Sequence, residues 1–78
     1  MTSPEVPLEE LPVEIVVNDQ KHEVPEGITV AELLDRLKLS KSFVAVEVNL
    51  QVVPHQKYTE YRLKPGDRLE IVTLVGGG

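Results

Sequence analysis

The amino-acid sequence predicts an α+β fold, in which a mixed sheet of about five strands carries one main helix on one face. Three observations predict it. Short β-branched segments recur along the chain, one segment has helical periodicity, and that segment lies between two pairs of predicted strands. A chain of 78 residues makes one small domain, whose core is too small to enclose a deep catalytic cleft. We therefore expect a protein that is not itself an enzyme.

The first predicted element is a hairpin. Residues 13–17 are mostly β-branched and predict a strand. Residues 18–20 have the Asn-Asp-Gln chemistry of a turn, and residues 21–24 return as the second strand. The Pro-Glu-Gly segment at 25–27 then breaks the sheet.

The helix follows directly. Thr29 and Glu32 have the spacing of a capping box, in which each side chain accepts a hydrogen bond from the other residue's main-chain N–H. Behind them, four apolar residues form a single helical stripe: Val30, Leu33, Leu34 and Leu37. The pattern predicts a helix that packs on the sheet by this stripe and ends near Leu39 and Ser40.

The second half of the chain completes the sheet. In order, it predicts a strand at 43–48, a turn at 49–50, a short strand at 51–53, a loop with about one helical turn at 55–62, a turn at 64–67 and a last strand at 68–74. Alternation directs six side chains toward the helix: Ile15, Val17, Val44, Val46, Leu69 and Ile71. A hairpin, a crossing helix and a second hairpin-like half form the β-grasp arrangement of ubiquitin-like proteins.

The two ends of the chain differ in composition from this domain. Residues 1–12 hold three prolines and three glutamates, which predicts a flexible extension before a β-grasp domain at 13–75. Gly76, Gly77 and Gly78 then predict a flexible tail, because glycine loses the most backbone freedom on ordering. Residues 75–78 reach at most about 14 Å. That length would carry the α-carboxylate of Gly78 from the domain surface into a partner's active site.

The charge of the chain restricts its partners. The net charge of −5 argues against a nucleic-acid partner, since phosphates require a basic footprint. Residues 1–35 hold nine acids and one base, whereas residues 36–78 hold seven bases and four acids. Three of the later bases, Arg62, Lys64 and Arg68, could steer the domain toward an acidic rim on a partner.

Several kinds of chemistry are excluded by composition. The chain has no cysteine, which excludes disulfides and thiolate chemistry of its own. His22 and His55 are its only histidines and lack the partners of a metal site, so we expect no bound metal. No apolar run approaches the roughly 20 residues of a membrane span, and the first residues lack the basic start of a signal peptide. We expect a cytoplasmic protein without a membrane partner.

The same alternation predicts a partner-docking face. If Leu69 and Ile71 point toward the helix, the intervening residues point to the opposite side of the sheet. The residues expected on that side are Val16, Phe43, Ala45, Val72 and Leu74. An exposed apolar patch beside a flexible tail is typical of a protein-binding site. Coverage of this patch by the N-terminal extension, or by self-association, is the alternative.

A set of motifs in a fixed order points to one family. They are VNDQ at 17–20, TVAELL at 29–34, VEVN at 46–49, VVP at 52–54 and GDRLEIV at 66–72, followed by the glycines. Over residues 13–78 the chain resembles the ubiquitin-like sulfur carriers of the ThiS family. That family usually ends in two glycines rather than three, and the extension at 1–12 is not part of its pattern.

The resemblance implies a function. An E1-like adenylating enzyme of the ThiF type would use ATP and Mg²⁺ to activate the Gly78 carboxylate, while Gly76 and Gly77 thread its active site. A desulfurase relay would then supply the sulfur of a Gly78 thiocarboxylate. A thiazole synthase of the ThiG type would take up that sulfur in thiamine biosynthesis. The chain itself would bind no cofactor.

Two alternatives remain open from the sequence. The first is a related carrier, such as the small subunit of molybdopterin synthase, which would share the fold and tail but serve another acceptor. The second is a β-grasp module that binds proteins without covalent chemistry. The mass of the chain after incubation with an adenylating enzyme, ATP and a sulfur source separates the carriers from the binding module.

Overall fold

The computed structural model describes residues 11–74, and they form the predicted sheet and helix. The strands are β1 (Pro12–Val17), β2 (Gln20–Pro25), β3 (Val44–Val48), β4 (Gln51–Val53) and β5 (Arg68–Thr73), and the helix is α1 (Val30–Arg36). The sheet order is β2-β1-β5-β3-β4. The central pair β1–β5 is parallel and the other pairs are antiparallel. The prediction of a mixed five-stranded sheet with one main helix is confirmed for the described residues.

Both hairpins turn through two residues with left-handed backbone. Asn18 and Asp19 join β1 to β2 with φ of 50° and 68°, and Asn49 and Leu50 join β3 to β4 with φ of 51° and 70°. Two-residue turns with positive φ match the twist of the flanking strands, which is why they are favoured in hairpins. Three of the four positions hold Asn or Asp, which tolerate this conformation. Leu50 does not belong to that class.

The helix begins as predicted and ends earlier than predicted. The Thr29 hydroxyl accepts from the Glu32 N–H at 3.1 Å, and the Glu32 carboxylate accepts from the Thr29 N–H at 2.9 Å. The prediction that α1 ends near residues 39–40 is wrong, because Lys38 turns left-handed at φ 59°. Its N–H donates to the Asp35 oxygen and the next N–H donates to Leu34. These two bonds form a Schellman ending, which satisfies the last carbonyls three residues early.

The core lies between α1 and the sheet. All six side chains predicted to face the helix are buried, and so are Val30, Leu33 and Leu34 of the helical stripe. Leu37 is only half-buried, because the helix has ended there. The strand predicted to begin at 43 begins at Val44, since Phe43 closes a 3₁₀ turn that the Ser40 side chain caps.

A side chain extends the central strand pair beyond its main-chain ladder. Strand β1 ends at Val17, opposite Leu69. The next residue, Asn18, accepts from the Ile71 N–H at 2.8 Å and donates to the Ile71 carbonyl at 3.1 Å. The side-chain amide of Asn18 therefore makes the hydrogen bonds to β5 that the main chain of a longer β1 would make. These bonds fix the position of β5 near Leu74.

Replacement of Asn18 is expected to destabilise the domain through this clamp. Asn18→Gly keeps the left-handed turn and removes both side-chain hydrogen bonds. The partly buried Ile71 N–H then loses its partner, which costs about 2 kcal/mol of unfolding free energy. Asn18→Ala adds left-handed strain of about 1 kcal/mol or more to that loss. Urea unfolding measures both. Equal stability of Asn18→Gly and the wild type would show that the clamp contributes nothing.

Candidate partner-docking face

Four of the five predicted docking residues lie together on the face of the sheet opposite α1, which we call the open face. They are Phe43, Ala45, Val72 and Leu74, and we call them the apolar patch. Phe43, Val72 and Leu74 are 56%, 55% and 45% exposed, and Ala45 is half-buried between its neighbours. Large apolar side chains exposed as a contiguous group are typical of interaction sites.

The register of β3 and β5 assembles the patch. Ala45 lies directly opposite Val72, and the Leu74 N–H donates to the Phe43 carbonyl at 2.6 Å. These two pairs are successive rows of one face, because side chains on a strand repeat with a period of two. The patch therefore lies at the end of β5 from which the chain continues toward residues 75–78.

Val16 does not join the patch. It lies on β1 opposite Arg68, four positions before Val72 on the neighbouring strand. It lines a groove of about 390 Å³ together with Glu47, Leu50 and other residues. The structure therefore places Val16 on the same face but beside the patch, since the parallel pairing of β1 sets it level with the start of β5.

Two exposed apolar residues were missing from the predicted face. Leu50 is 89% exposed and Val52 is 70% exposed, at the turn and second strand of the β3–β4 hairpin. Val52 lies opposite Glu47, which places it on the open face. The signal for Val52 was available, since Val53 is the buried member of this short strand and its neighbour must point away. Leu50 combines exposure with a left-handed backbone that leucine disfavours.

Two of the three bases expected to steer the domain, Arg62 and Arg68, form contacts within the fold. The Arg62 guanidinium donates to the Gly27 carbonyl at 2.7 Å, on the turn that precedes α1. Arg68 forms an ion pair with Asp19 at 3.3 Å. Lys64 lies in the turn before β5, where its main-chain N–H donates to the Asp67 carboxylate at 2.8 Å. Folding thus pairs the two arginines with groups elsewhere in the chain.

Both histidines contact or lie opposite residues of the folded sheet. His55 Nε2 lies 2.9 Å from the Val44 carbonyl, so an N–H at that nitrogen donates to it. Its ring lies beside that of Tyr58 at a centroid distance of 4.9 Å, and burial raises the pKa of the Tyr58 hydroxyl. His22 is half-buried on β2 opposite Ile15. No three side chains of the metal-binding types converge in residues 11–74.

Two parts of the predicted organisation lie outside the described residues. The first part is the glycines at 76–78, which include the predicted modification site Gly78. The second is residues 1–10 of the predicted extension at 1–12. Within residues 11–74, no helix has the length and apolar character needed to cross a membrane.

Comparisons with known proteins show which family the sequence matches. The sequence model of the ThiS family matches residues 10–78. The chain is 30% identical to the sulfur carrier protein ThiS of Escherichia coli over 66 residues, which are 85% of this chain and all of that protein. It is 38% identical over 66 residues to a thiazole synthase of Paramagnetospirillum magneticum, but spans only 20% of that protein's length.

A solved structure extends the agreement to the fold. The crystal structure of the thiamine biosynthesis protein ThiS from Geobacter metallireducens superposes with a TM-score of 0.73 at 32% identity. The superposition covers 85% of this chain and 100% of that one. The two chains therefore share the β-grasp fold as well as sequence similarity. The chain therefore belongs to the ThiS family.

Proposed function

We propose that this protein is a sulfur carrier of thiamine biosynthesis, and that its reactive group is the carboxylate of Gly78. The observation that carries the proposal is the family match over residues 10–78, which includes all three glycines. The exposed apolar patch at the end of β5 supports it, since that is where a partner would hold the domain while the tail enters an active site.

The chemistry begins with activation of a poor electrophile. A carboxylate resists attack because its charge is delocalised and its leaving group would be oxide. An adenylating partner with ATP and Mg²⁺ joins a Gly78 carboxylate oxygen to the α-phosphate and releases pyrophosphate. The acyl adenylate then carries AMP as a good leaving group.

Sulfur enters in two further steps. The terminal sulfur of a persulfide attacks the Gly78 carbonyl carbon, and the C–O bond to AMP breaks, which gives an acyl disulfide. A second thiol then cleaves the S–S bond. This second thiol forms a disulfide with the thiol that had carried the persulfide, and the Gly78 thiocarboxylate is released. The second thiol must come from a partner, because this chain has no cysteine.

The proposed acceptor is a thiazole synthase. A segment similar to this chain forms part of a Paramagnetospirillum magneticum protein of that name, and the Escherichia coli relative is named a sulfur carrier. The first name, with that of the Geobacter metallireducens thiamine biosynthesis protein, favours a thiazole acceptor over a molybdopterin synthase. In this scheme the domain supplies a docking face and a reactive end, while its partners supply the nucleotide and the acid–base groups.

Intact mass spectrometry tests the proposal. The purified chain is incubated with a ThiF-type adenylating enzyme, ATP, Mg²⁺ and a desulfurase with cysteine. The expected product differs by the exchange of one oxygen for sulfur, and the exchange requires ATP. An unchanged mass, with an enzyme that modifies the Escherichia coli carrier under the same conditions, would favour the non-covalent binding module.

Replacement of exposed apolar residues in the patch is expected to weaken docking. We expect the double variant Phe43→Ser, Val72→Ser to raise the KM of the adenylating enzyme for the carrier about tenfold, because removal of central apolar contacts costs more than about 1 kcal/mol of binding. The kcat should not change, since neither residue reaches the carboxylate. The KM and kcat follow from pyrophosphate release at varied carrier concentration.

Leu11→Ser is the matched control for this variant. Leu11 is a partly exposed apolar residue that precedes β1, and β5 separates that strand from β3. The KM of the adenylating enzyme for Leu11→Ser should equal its KM for the wild type. A double variant with wild-type KM would remove the apolar patch from the proposed interface.

A further inference from the structure

The open face carries a second feature next to the apolar patch. Glu47 of β3 lies directly opposite Glu70 of β5, and Val52 of β4 lies on the other side of Glu47. Glu47 and Glu70, which we call the acidic pair, are each two positions along their strand from Ala45 and Val72. That spacing places them about 7 Å from the patch.

The acidic pair places two like charges directly opposite each other in the sheet. Residues opposite each other in a hydrogen-bonded antiparallel pair have Cα atoms about 5.5 Å apart, and like charges in that arrangement destabilise a sheet. Arg68 lies two positions from Glu70 on the same strand but pairs with Asp19. Within residues 11–74 that is the one ion pair, so no cation from this part of the chain contacts the acidic pair.

The unpartnered sheet face therefore has a definite charge pattern. Three exposed apolar side chains lie at one end, and two carboxylates follow in the next row, bordered by the exposed Val52. Arg68, which pairs with Asp19, lines the groove beyond the carboxylates. A complementary surface must bury the apolar end and supply positive charge one row away. The partner surface is therefore expected to be basic at this point, whereas the basic residues of the second half of the chain predict an acidic rim on the partner.

Building on the proposed function, we propose that the open face docks on a surface of the adenylating partner with an apolar centre and a cationic rim. An arginine or lysine of that rim, about 7 Å from the apolar centre, binds the carboxylates of Glu47 and Glu70 together. Charge-assisted hydrogen bonds of this kind are the strong ones. In the complex, the cation offsets the repulsion between the two glutamates, which stays uncompensated in the free domain.

Charge-neutral variants test this inference. In Glu47→Gln, Glu70→Gln, the KM of a ThiF-type adenylating enzyme for the carrier is expected to rise about tenfold with kcat unchanged. The wild-type KM should rise between 50 and 300 mM NaCl, and the variant should lose most of that salt dependence. The thermal midpoint of the variant should equal or exceed that of the wild type, which shows that it folds.

A second glutamate pair on the same face is the matched control. Glu14 of β1 lies opposite Glu23 of β2, on the far side of β5 from β3. Glu14→Gln, Glu23→Gln removes the same charge and should change KM less than twofold. Equal effects of the two double variants would show a general effect of net charge and overturn the inference, as would an unchanged or lowered KM for Glu47→Gln, Glu70→Gln.

Failure of this inference and failure of the proposed function give different results. If the proposed function fails, the wild type gains no sulfur in the presence of ATP. If only the docking inference fails, the wild type gains sulfur and the acidic-pair variant keeps its KM. Amide chemical-shift changes on titration of the ¹⁵N-labelled chain with the enzyme, without ATP, measure docking apart from the chemistry. Shifts absent from Ala45, Glu47, Glu70 and Val72 would also overturn the inference.

Discussion

Removal of Gly77 and Gly78 is expected to abolish thiocarboxylate formation. The truncated chain still carries a terminal carboxylate, on Gly76, but this group lies two residues or about 7 Å short of the position that the full tail reaches. A displacement of 1 Å at a reacting centre can cost a hundredfold in rate, so we expect no detectable adenylation. Intact mass after incubation with enzyme, ATP and sulfur source measures the effect.

The same truncation is expected to leave the fold intact. The buried apolar residues of the described chain lie between Ile15 and Ile71, so loss of the two glycines should change the free energy of unfolding by less than about 0.5 kcal/mol. Gly78→Ala is the companion variant, because it keeps the length of the tail and adds one methyl group. A truncated chain that still exchanges oxygen for sulfur, or that unfolds, would contradict the proposed role of the tail.

Leu34→Ala is expected to have the largest effect on stability. Leu34 is 1% exposed and lies in the core cluster between α1 and the sheet. Truncation of a fully buried leucine costs about 2–5 kcal/mol, from lost transfer free energy and from the cavity left behind. A domain of this size has a total stability of only a few kcal/mol. The variant should therefore be largely unfolded at 37 °C.

Leu37→Ala provides the comparison within the same stripe. Leu37 is half-buried at the C-cap of α1, so its truncation should cost less than half as much as that of Leu34. Urea unfolding followed by circular dichroism measures both free energies. Equal losses would show that the helical periodicity, rather than the early end of α1, determines which leucines stabilise the core.

Local signals in the sequence predict the structure correctly. The capping box of Thr29 and Glu32 lies within four residues, and its hydrogen bonds form as the spacing predicts. The buried faces of β3 and β5 follow from strict alternation. The predicted end of the helix is wrong because the left-handed turn at Lys38 occurs without the glycine or asparagine that usually marks such a turn.

Sequence alone predicted most of the apolar patch but not its limits. Phe43, Ala45, Val72 and Leu74 were identified by counting residues from the buried positions. Val16 lies on the predicted face, yet it lines the neighbouring groove and does not belong to the patch. Counting along a strand predicts the face of a residue, whereas its neighbours depend on which strands pair and in which register.

Residues near one another in the chain thus predict the strands, the start of the helix, the buried side of each strand and the family motifs. Other contacts are visible only in the folded chain: β1 and β5 are parallel neighbours, Asn18 holds Ile71, Arg68 pairs with Asp19, and Glu47 lies opposite Glu70. These contacts join residues separated by 23 or more positions in the chain, where no local periodicity carries a signal. The charge pattern of the docking face depends on them.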